Sequence, residues 1–271
     1  MIKSAVTLNL IETMSIGPWI FWHNLEESLK KAAELGFDGV ELFTRSGSDL
    51  DANHLQDQLK HYGLELAAVG TGAGKVLHGL TLTDPDPEIR KKAIDYIAEM
   101  IDFGAQFGAP AIIGSMQGNI PTGHSKEDAL DLLAEGLSQL GKIAKSAGVI
   151  LIYEPLNRYE SNLINTLHAG SEFLKRNHLR AIRLLADLFH MNIEEDNSAQ
   201  SILDFGQYIG HVHFADSNRK PMGFGHTDMA PIAAALKEIN CSGYISAEAF
   251  PYPSPDEAAK QTINQFKKYF R

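Results

Sequence analysis

The sequence predicts an α/β protein folded as a closed (β/α)8 barrel. Two observations carry that expectation. Short apolar, β-type runs alternate with amphipathic helical segments eight times along the chain. The 271 residues also match the length such a barrel needs, commonly about 250 residues in one domain. A third observation supports them: polar, chemistry-bearing residues recur where consecutive strands end. A doubly wound open sheet is the rival architecture, and eight units in this length favour the barrel. No low-complexity linker and no strong short-period repeat breaks the alternation, so residues 1–271 are expected to form one domain.

The elements follow in order. Strand one is the β-type run SAVTLNL, Ser4–Leu10. Leu25–Leu35 has apolar positions at helical spacing, Gly36 is its natural stop, and GVELF (39–43) is strand two, with Glu41 near its end. Leu55–Tyr62 reads as a helix ending at Gly63, and LELAAVG (64–70) as strand three. The glycine-rich GTGAGK (70–75) reads as a loop. Asp84 or Asp86, beside prolines, starts a long helix that runs to about Phe107. PAIIGS (110–115) is strand four. The long segment to Ser125 is a candidate pocket wall, and Ser125 caps a helix to about Ala147. Val149–Ile152 is the apolar body of strand five. Thr166–Asn177 is helical, 181–187 is strand six, a helix lies near 198–207, and HVHFAD (211–216) is strand seven. Ala230–Ile239 is helical, YISAEAF (244–250) is strand eight, and Asp256–Phe270 is the last helix.

Composition narrows the class. Hydrophobic residues make up 44% of the chain, enough for a large core. The formal charge of −10, from 24 basic and 34 acidic residues, argues against nucleic acid or an anionic membrane surface as partner. One cysteine, Cys241, permits no internal disulfide, which fits a reducing cytoplasm. The opening residues do not read as a secretory signal, and no apolar run approaches the roughly 20 residues of a membrane span.

The chemistry sits at the strand exits. Strand five delivers Glu154, strand six Asp187, strand seven His213 and strand eight Glu248, each in an otherwise apolar stretch. In a parallel barrel those exits share the C-terminal rim, where such folds keep their active sites. A lone carboxylate there is ordinarily a solvated loop residue or a cap, and a lone histidine ordinarily structural. Four in succession at one rim are hard to dismiss in that way. Three crowded carboxylates repel one another unless a cation, protons or hydrogen-bond donors compensate them. A divalent metal held by Glu154, Asp187, His213 and Glu248 is the simplest compensation, and the oxygen-rich set with one imidazole suits Mn²⁺, Mg²⁺ or Co²⁺, or Zn²⁺. Around it lie Arg158 and Glu160, His190, Arg219, and the pair His226 and Asp228. Arg158 reads as structural, and Glu194, Glu195 and Asp196 as a solvated turn. Trp19 and Trp22 read equally as pocket wall or core. GTGAGK with Lys75 does not match a P-loop, which leaves phosphate binding there a weak expectation.

The runs EPLNRYE, ADLFHMNIEED, GHVHFADSNR and AEAF, with DPDPEIRKKAIDYI and FGAP upstream, resemble the D-tagatose 3-epimerase and D-psicose (allulose) 3-epimerase group. That group lies within the xylose-isomerase-like TIM-barrel superfamily. The likeness extends in outline over the whole chain; the motifs from 154 to 248 are specific as a set. It implies one divalent ion, usually Mn²⁺ or Co²⁺, on the four residues above. It implies that Glu154 and Glu248 face each other as the acid–base pair, and that Glu160, His190 and Arg219 surround the carbonyl end of a sugar. Strand eight departs from the group's common MEPF, GTGAGK differs from the corresponding loop, and the loops for the far end of the sugar do not match clearly. The resemblance therefore speaks to the chemistry more than to the substrate.

The expected reaction is C3 epimerisation of a ketose. One glutamate removes the proton beside the carbonyl, the metal stabilises the enediolate, and the other glutamate returns a proton on the opposite face. Proton return to the adjacent carbon would give aldose–ketose isomerisation instead. Three alternatives stand beside this: an inosose dehydratase-like lyase on the same site, a non-catalytic sugar-binding barrel, and an apurinic-endonuclease-like hydrolase, for which Asp187–His190 and His226–Asp228 supply part of a zinc pattern but the first half lacks the further histidines. A homo-oligomer, dimer or tetramer, is common in the resembling group.

Overall fold

A computed structural model describes residues 2–271. Eight parallel strands form the ring: β1 Ile2–Asn9, β2 Gly39–Phe43, β3 Glu65–Gly70, β4 Ala111–Ile113, β5 Leu151–Tyr153, β6 Ile182–Asp187, β7 Ile209–His213 and β8 Gly243–Ala247. Each pairs with its sequence neighbour. The ring closes where β1 runs parallel to β8, from Ile2 beside Gly243 to Val6 beside Ala247. The open-sheet rival is thereby excluded.

The helices form where the sequence places their caps. Leu25–Leu35 is capped by Asn24, whose side chain accepts from the Glu27 amide, and it ends at Gly36 with φ +85°, a left-handed turn that glycine adopts without strain. Ser125 and Asp128 make a reciprocal capping box for Lys126–Ser146. Asp86 caps Pro87–Ala105, Thr166 caps Leu167–Arg176, and Ser254 caps Pro255–Phe270. Apolar faces of these helices pack on the outer faces of the strands in one continuous core.

The barrel interior is divided. Ala68, Ile112, Ile152 and Leu185, from β3 to β6, form a small apolar cluster separate from the outer core. The facing half, from β7 round to β2, is polar: Thr7, Glu41, His211, His213 and Ser246 are all buried. The register fits, with Thr7 beside Glu41, Glu41 beside Ala68, Leu185 beside His211 and His213 beside Ser246. The polar half leads up to the rim.

Three features differ from the sequence reading. A two-residue strand, Phe21–Trp22, adds to the edge of β1. The glycine-rich run after β3 is not an open loop, because Ala73–His78 is a short helix. Residues after β6 also coil at once into a helix, Leu188–Glu194, with Asp187 as its cap. Both helices are too short for apolar periodicity to reveal them.

Candidate metal centre and active site

Each strand that ends in a polar residue delivers it to the same place. Asp187 and His213 are the last residues of β6 and β7, and Glu154 and Glu248 directly follow β5 and β8. Each of the four offers an atom such that all lie within 4.8 Å of one another. His213 Nδ1 is the hub, 3.3 Å from Asp187 Oδ2, 3.6 Å from Glu154 Oε1 and 3.7 Å from Glu248 Oε2. One ring nitrogen cannot serve three carboxylates by hydrogen bonds at such lengths. Neighbouring ligands around a cation with bonds of roughly 2.0–2.2 Å stand about 3–3.5 Å apart, which is close to this spacing. Glu154 Oε1 is buried without a hydrogen-bond partner. An orphaned buried carboxylate oxygen is costly unless something positive meets it, so the donor set fits a divalent cation.

Local structure aims each donor. Asp187 Oδ1 accepts from the Phe189 amide at 2.7 Å as the helix cap, which leaves Oδ2 for the centre. Gly114, just after β4, leaves room for Glu154: a β-carbon there would collide with Glu154 Oε2. His213 Nε2 lies 3.1 Å from Glu41 Oε1, so its other nitrogen is the one turned to the carboxylates.

Burial and charge compete here. Burial pushes the Glu154 carboxyl up, only partly offset by His213, and nearby Glu248 adds to the rise. Burial would also raise Asp187, but His190, His213 and Arg219 hold it well below the ordinary carboxylate range. His213 goes the other way: burial disfavours its charge, yet Glu41 and Glu248, with Asp187 and Glu154, raise it well above the ordinary imidazole range. With no cation present, positive charge on this imidazole would help to compensate the carboxylates, and a bound cation would take the place of its Nδ1 proton.

The residues expected around a substrate divide into two sets. Glu160 and Arg219 line a cavity of about 180 Å³ together with Glu154, His213 and Glu248, against a wall that includes Trp19, Phe43, Thr71 and Leu156. Arg219 donates to Glu248 Oε2 at 2.6 Å and to Glu160 Oε1 at 3.2 Å, and its guanidinium stacks on Phe189 with 4.9 Å to the ring centre. Asp216 holds the loop that carries Arg219, its carboxylate accepting the amides of Ser217 and Gly223 at 2.7 Å and of Thr227 at 3.0 Å. His190 is buried and lies behind the cavity surface. The Asn157 side-chain amide meets His190 Nδ1 at 2.7 Å. That amide is oriented by the Tyr159 N–H on its oxygen and by Glu160, to which it also donates. Nδ1 therefore accepts and Nε2 carries the proton. Nε2 has no partner and points between Glu154 Oε1 at 3.6 Å and Asp187 Oδ2 at 3.7 Å.

Several expectations are corrected. Glu194 is not a solvated turn residue: its side chain is buried and pairs with exposed Arg158, 2.9 Å away. Glu195 accepts from the Leu167 amide and the Ser201 hydroxyl. His226 is exposed and Asp228 caps the helix Met229–Glu238, so neither joins the cluster. Trp19 is a cavity wall, whereas Trp22 is not. In GTGAGK the amides of Gly74, Lys75 and Val76 turn to the Thr71 and Gly72 carbonyls, and Lys75 does not line the cavity, although Gly70, Thr71 and Gly72 do.

Sequence reasoning placed Glu41 near the end of strand two but gave neither it nor His211 a role in the site. Glu41 Oε2 meets His211 Nε2 at 2.8 Å, and Glu41 with the two histidines forms a second buried group of donors. The signal was present. A carboxylate between Val40 and Leu42 mid-strand needs a partner, and the spacing of HVH puts His211 and His213 on one face of β7.

Comparison with known proteins agrees with this architecture. A family model described as "Xylose isomerase-like TIM barrel" matches residues 29–269. A D-psicose 3-epimerase of Ruminiclostridium cellulolyticum is 31% identical over 229 residues, 82% of this chain and 77% of that protein. A 3-dehydro-D-guloside 4-epimerase of Escherichia coli is 29% identical over 239 residues, 84% of this chain and 88% of that protein. The crystal structure of a D-allulose 3-epimerase from Methylomonas sp. superposes with a TM-score of 0.84 at 23% identity, covering 99% of this chain and 98% of that one, a likeness of fold. No helix among the described residues is long and apolar enough to cross a membrane.

Proposed function

The chain belongs to the xylose isomerase-like TIM-barrel family, and on that premise we propose that it is an isomerase-class enzyme, a metal-dependent sugar epimerase that inverts C3 of a ketose. The observation that carries the reading is the pair Glu154 and Glu248. They stand three strands apart on the ring, on one cavity, within reach of the same cation position. A divalent ion there, Mn²⁺ by our reading of the donors, would polarise the ketose carbonyl and stabilise charge developing beside it. The chain's own groups move the proton. One glutamate, as carboxylate, takes the proton from C3; the other, as acid, delivers one to the opposite face. Their surroundings differ as such roles require, since Glu154 is pushed up by burial while Arg219 donates to Glu248. The Arg219 guanidinium holds the oxygens at the carbonyl end, while His190, behind the cavity surface, turns its Nε2–H to Glu154 and Asp187.

The substrate is a neutral, unphosphorylated sugar. Arg219 is the one lysine or arginine lining the cavity among the described residues, and Glu248 and Glu160 already engage it. No free lysine or arginine of the lining is left for a phosphate. The lone, partly buried Cys241 is in keeping with a reducing, cytoplasmic setting.

The reading is tested by incubating the Mn²⁺-loaded protein with a panel of ketoses, their phosphates and inososes, and identifying products by NMR. The expected result is a C3 epimer from a free ketose and nothing from its phosphate. A dehydrated product from an inosose, or no turnover across the panel, overturns it. Gly114→Ala provides a geometric check, because its methyl displaces Glu154. A shift of that size at the reacting centre costs about 10²-fold in kcat, measured alongside the unfolding midpoint to separate misplacement from misfolding.

A further inference from the structure

Beneath the cluster lies a buried triad that the reaction does not itself need. Glu41, on β2, reaches across the barrel to two imidazoles of β7: Oε2 to His211 Nε2 at 2.8 Å, and Oε1 to His213 Nε2 at 3.1 Å. All three side chains are buried. Both Glu41 oxygens are occupied at hydrogen-bond distance, so the carboxylate can turn neither way. A carboxylate accepts, hence His213 Nε2 donates to it and His213 Nδ1 is directed at Asp187, Glu154 and Glu248. Without Glu41 the His213 ring is free to rotate about its χ2 or to place its proton on Nδ1, and either change removes the nitrogen donor.

We propose that Glu41 is a positioning residue for the metal centre, a carboxylate clamp that fixes the orientation and tautomer of His213 and is itself held in register by His211. This rests on the reading of the four-residue centre as a metal site. Carboxylates behind metal-binding histidines act in this way generally, and losing one typically weakens metal binding 10–100-fold. The geometry also argues against the triad as a second cation site. Glu41 serves the two histidines through separate oxygens at hydrogen-bond distance, and neither oxygen is left over, in contrast to Glu154 Oε1 in the main cluster.

The test is calorimetric titration of metal-stripped wild type and Glu41→Gln with Mn²⁺, with unfolding midpoints and ketose kinetics at saturating Mn²⁺. Glu41→Gln is expected to bind Mn²⁺ about 10–100-fold more weakly, with one ion per chain in both proteins, a lowered kcat and a ketose KM within about twofold. Glu41→Asp, which keeps the charge but withdraws the oxygens from His213, is expected to weaken Mn²⁺ in the same direction and serves if Gln does not fold. A folded variant that binds Mn²⁺ as tightly as wild type overturns the clamp. Two ions in wild type, one of them lost in the variant, overturns it in favour of a second cation site. A wild type that binds no Mn²⁺ overturns the metal reading itself, and the clamp with it.

Discussion

Glu154→Gln lowers ketose epimerisation by about 10³-fold or more, and Glu248→Gln does the same. Each change removes a proton-transfer group, for which 10²–10⁴-fold is the usual scale, and each also removes an oxygen from the cation position. Saturating Mn²⁺ is supplied to separate these losses. The informative measurement is deuterium exchange at C3 in D₂O. If the two carboxylates work from opposite faces, each C3 epimer presents its hydrogen to only one of them. Glu154→Gln then still exchanges the epimer whose hydrogen faces Glu248, without inverting it, and Glu248→Gln exchanges only the other. Loss of inversion with one-sided exchange, reversed between the two variants, is the expected pattern. Wild-type exchange of both epimers in both variants would sink the two-glutamate scheme. For inversion the double variant should be little worse than either single one, because the pair acts as a unit, whereas exchange of both epimers should be lost.

This pattern could be anticipated because strand ends are legible in sequence. Glu154, Asp187, His213 and Glu248 each break an apolar run at its exit, and a parallel barrel brings every such exit to one rim. Short β-type runs and glycine stops place the strands within a few residues, as GVELF shows by coinciding with β2. What stayed hidden depends on contacts across the barrel. Glu41 and His211 meet at a separation of 170 residues, and no local pattern encodes which inward-facing residue on β2 touches β7. His190 was expected at the substrate; the Leu188–Glu194 helix that Asp187 starts draws the ring in behind the surface. Glu194 looked solvated because its neighbours are acidic, yet Arg158 from the preceding βα connection covers it. The glycine-rich run failed differently. Its composition suited an open loop, but a six-residue helix forms there and turns the Gly74, Lys75 and Val76 amides back on the chain.

Removing the metal is expected to abolish turnover and to loosen the fold together. Glu154, Asp187 and Glu248 converge around one imidazole, and without a cation they are compensated by Arg219 on Glu248 and by His213, whose imidazole is held above its ordinary range at the cost of burying a charge. An ion at 100 times its Kd stabilises by about 2.7 kcal/mol. For a chain of this size that corresponds to a rise in unfolding midpoint on the order of 5–10 °C. Dialysis against EDTA, followed by elemental analysis, should give an inactive protein with the lower midpoint, and added Mn²⁺ should restore both. The increment has a pH sign. His213 must release its Nδ1 proton to accept the ion, so protons compete with metal and the gain in midpoint at fixed Mn²⁺ shrinks as pH falls. Scans of loaded and stripped protein at descending pH should therefore converge. Full activity in protein verified to be metal-free would remove the ion from the reaction, and would leave the orphaned Glu154 oxygen to be met by some other positive group.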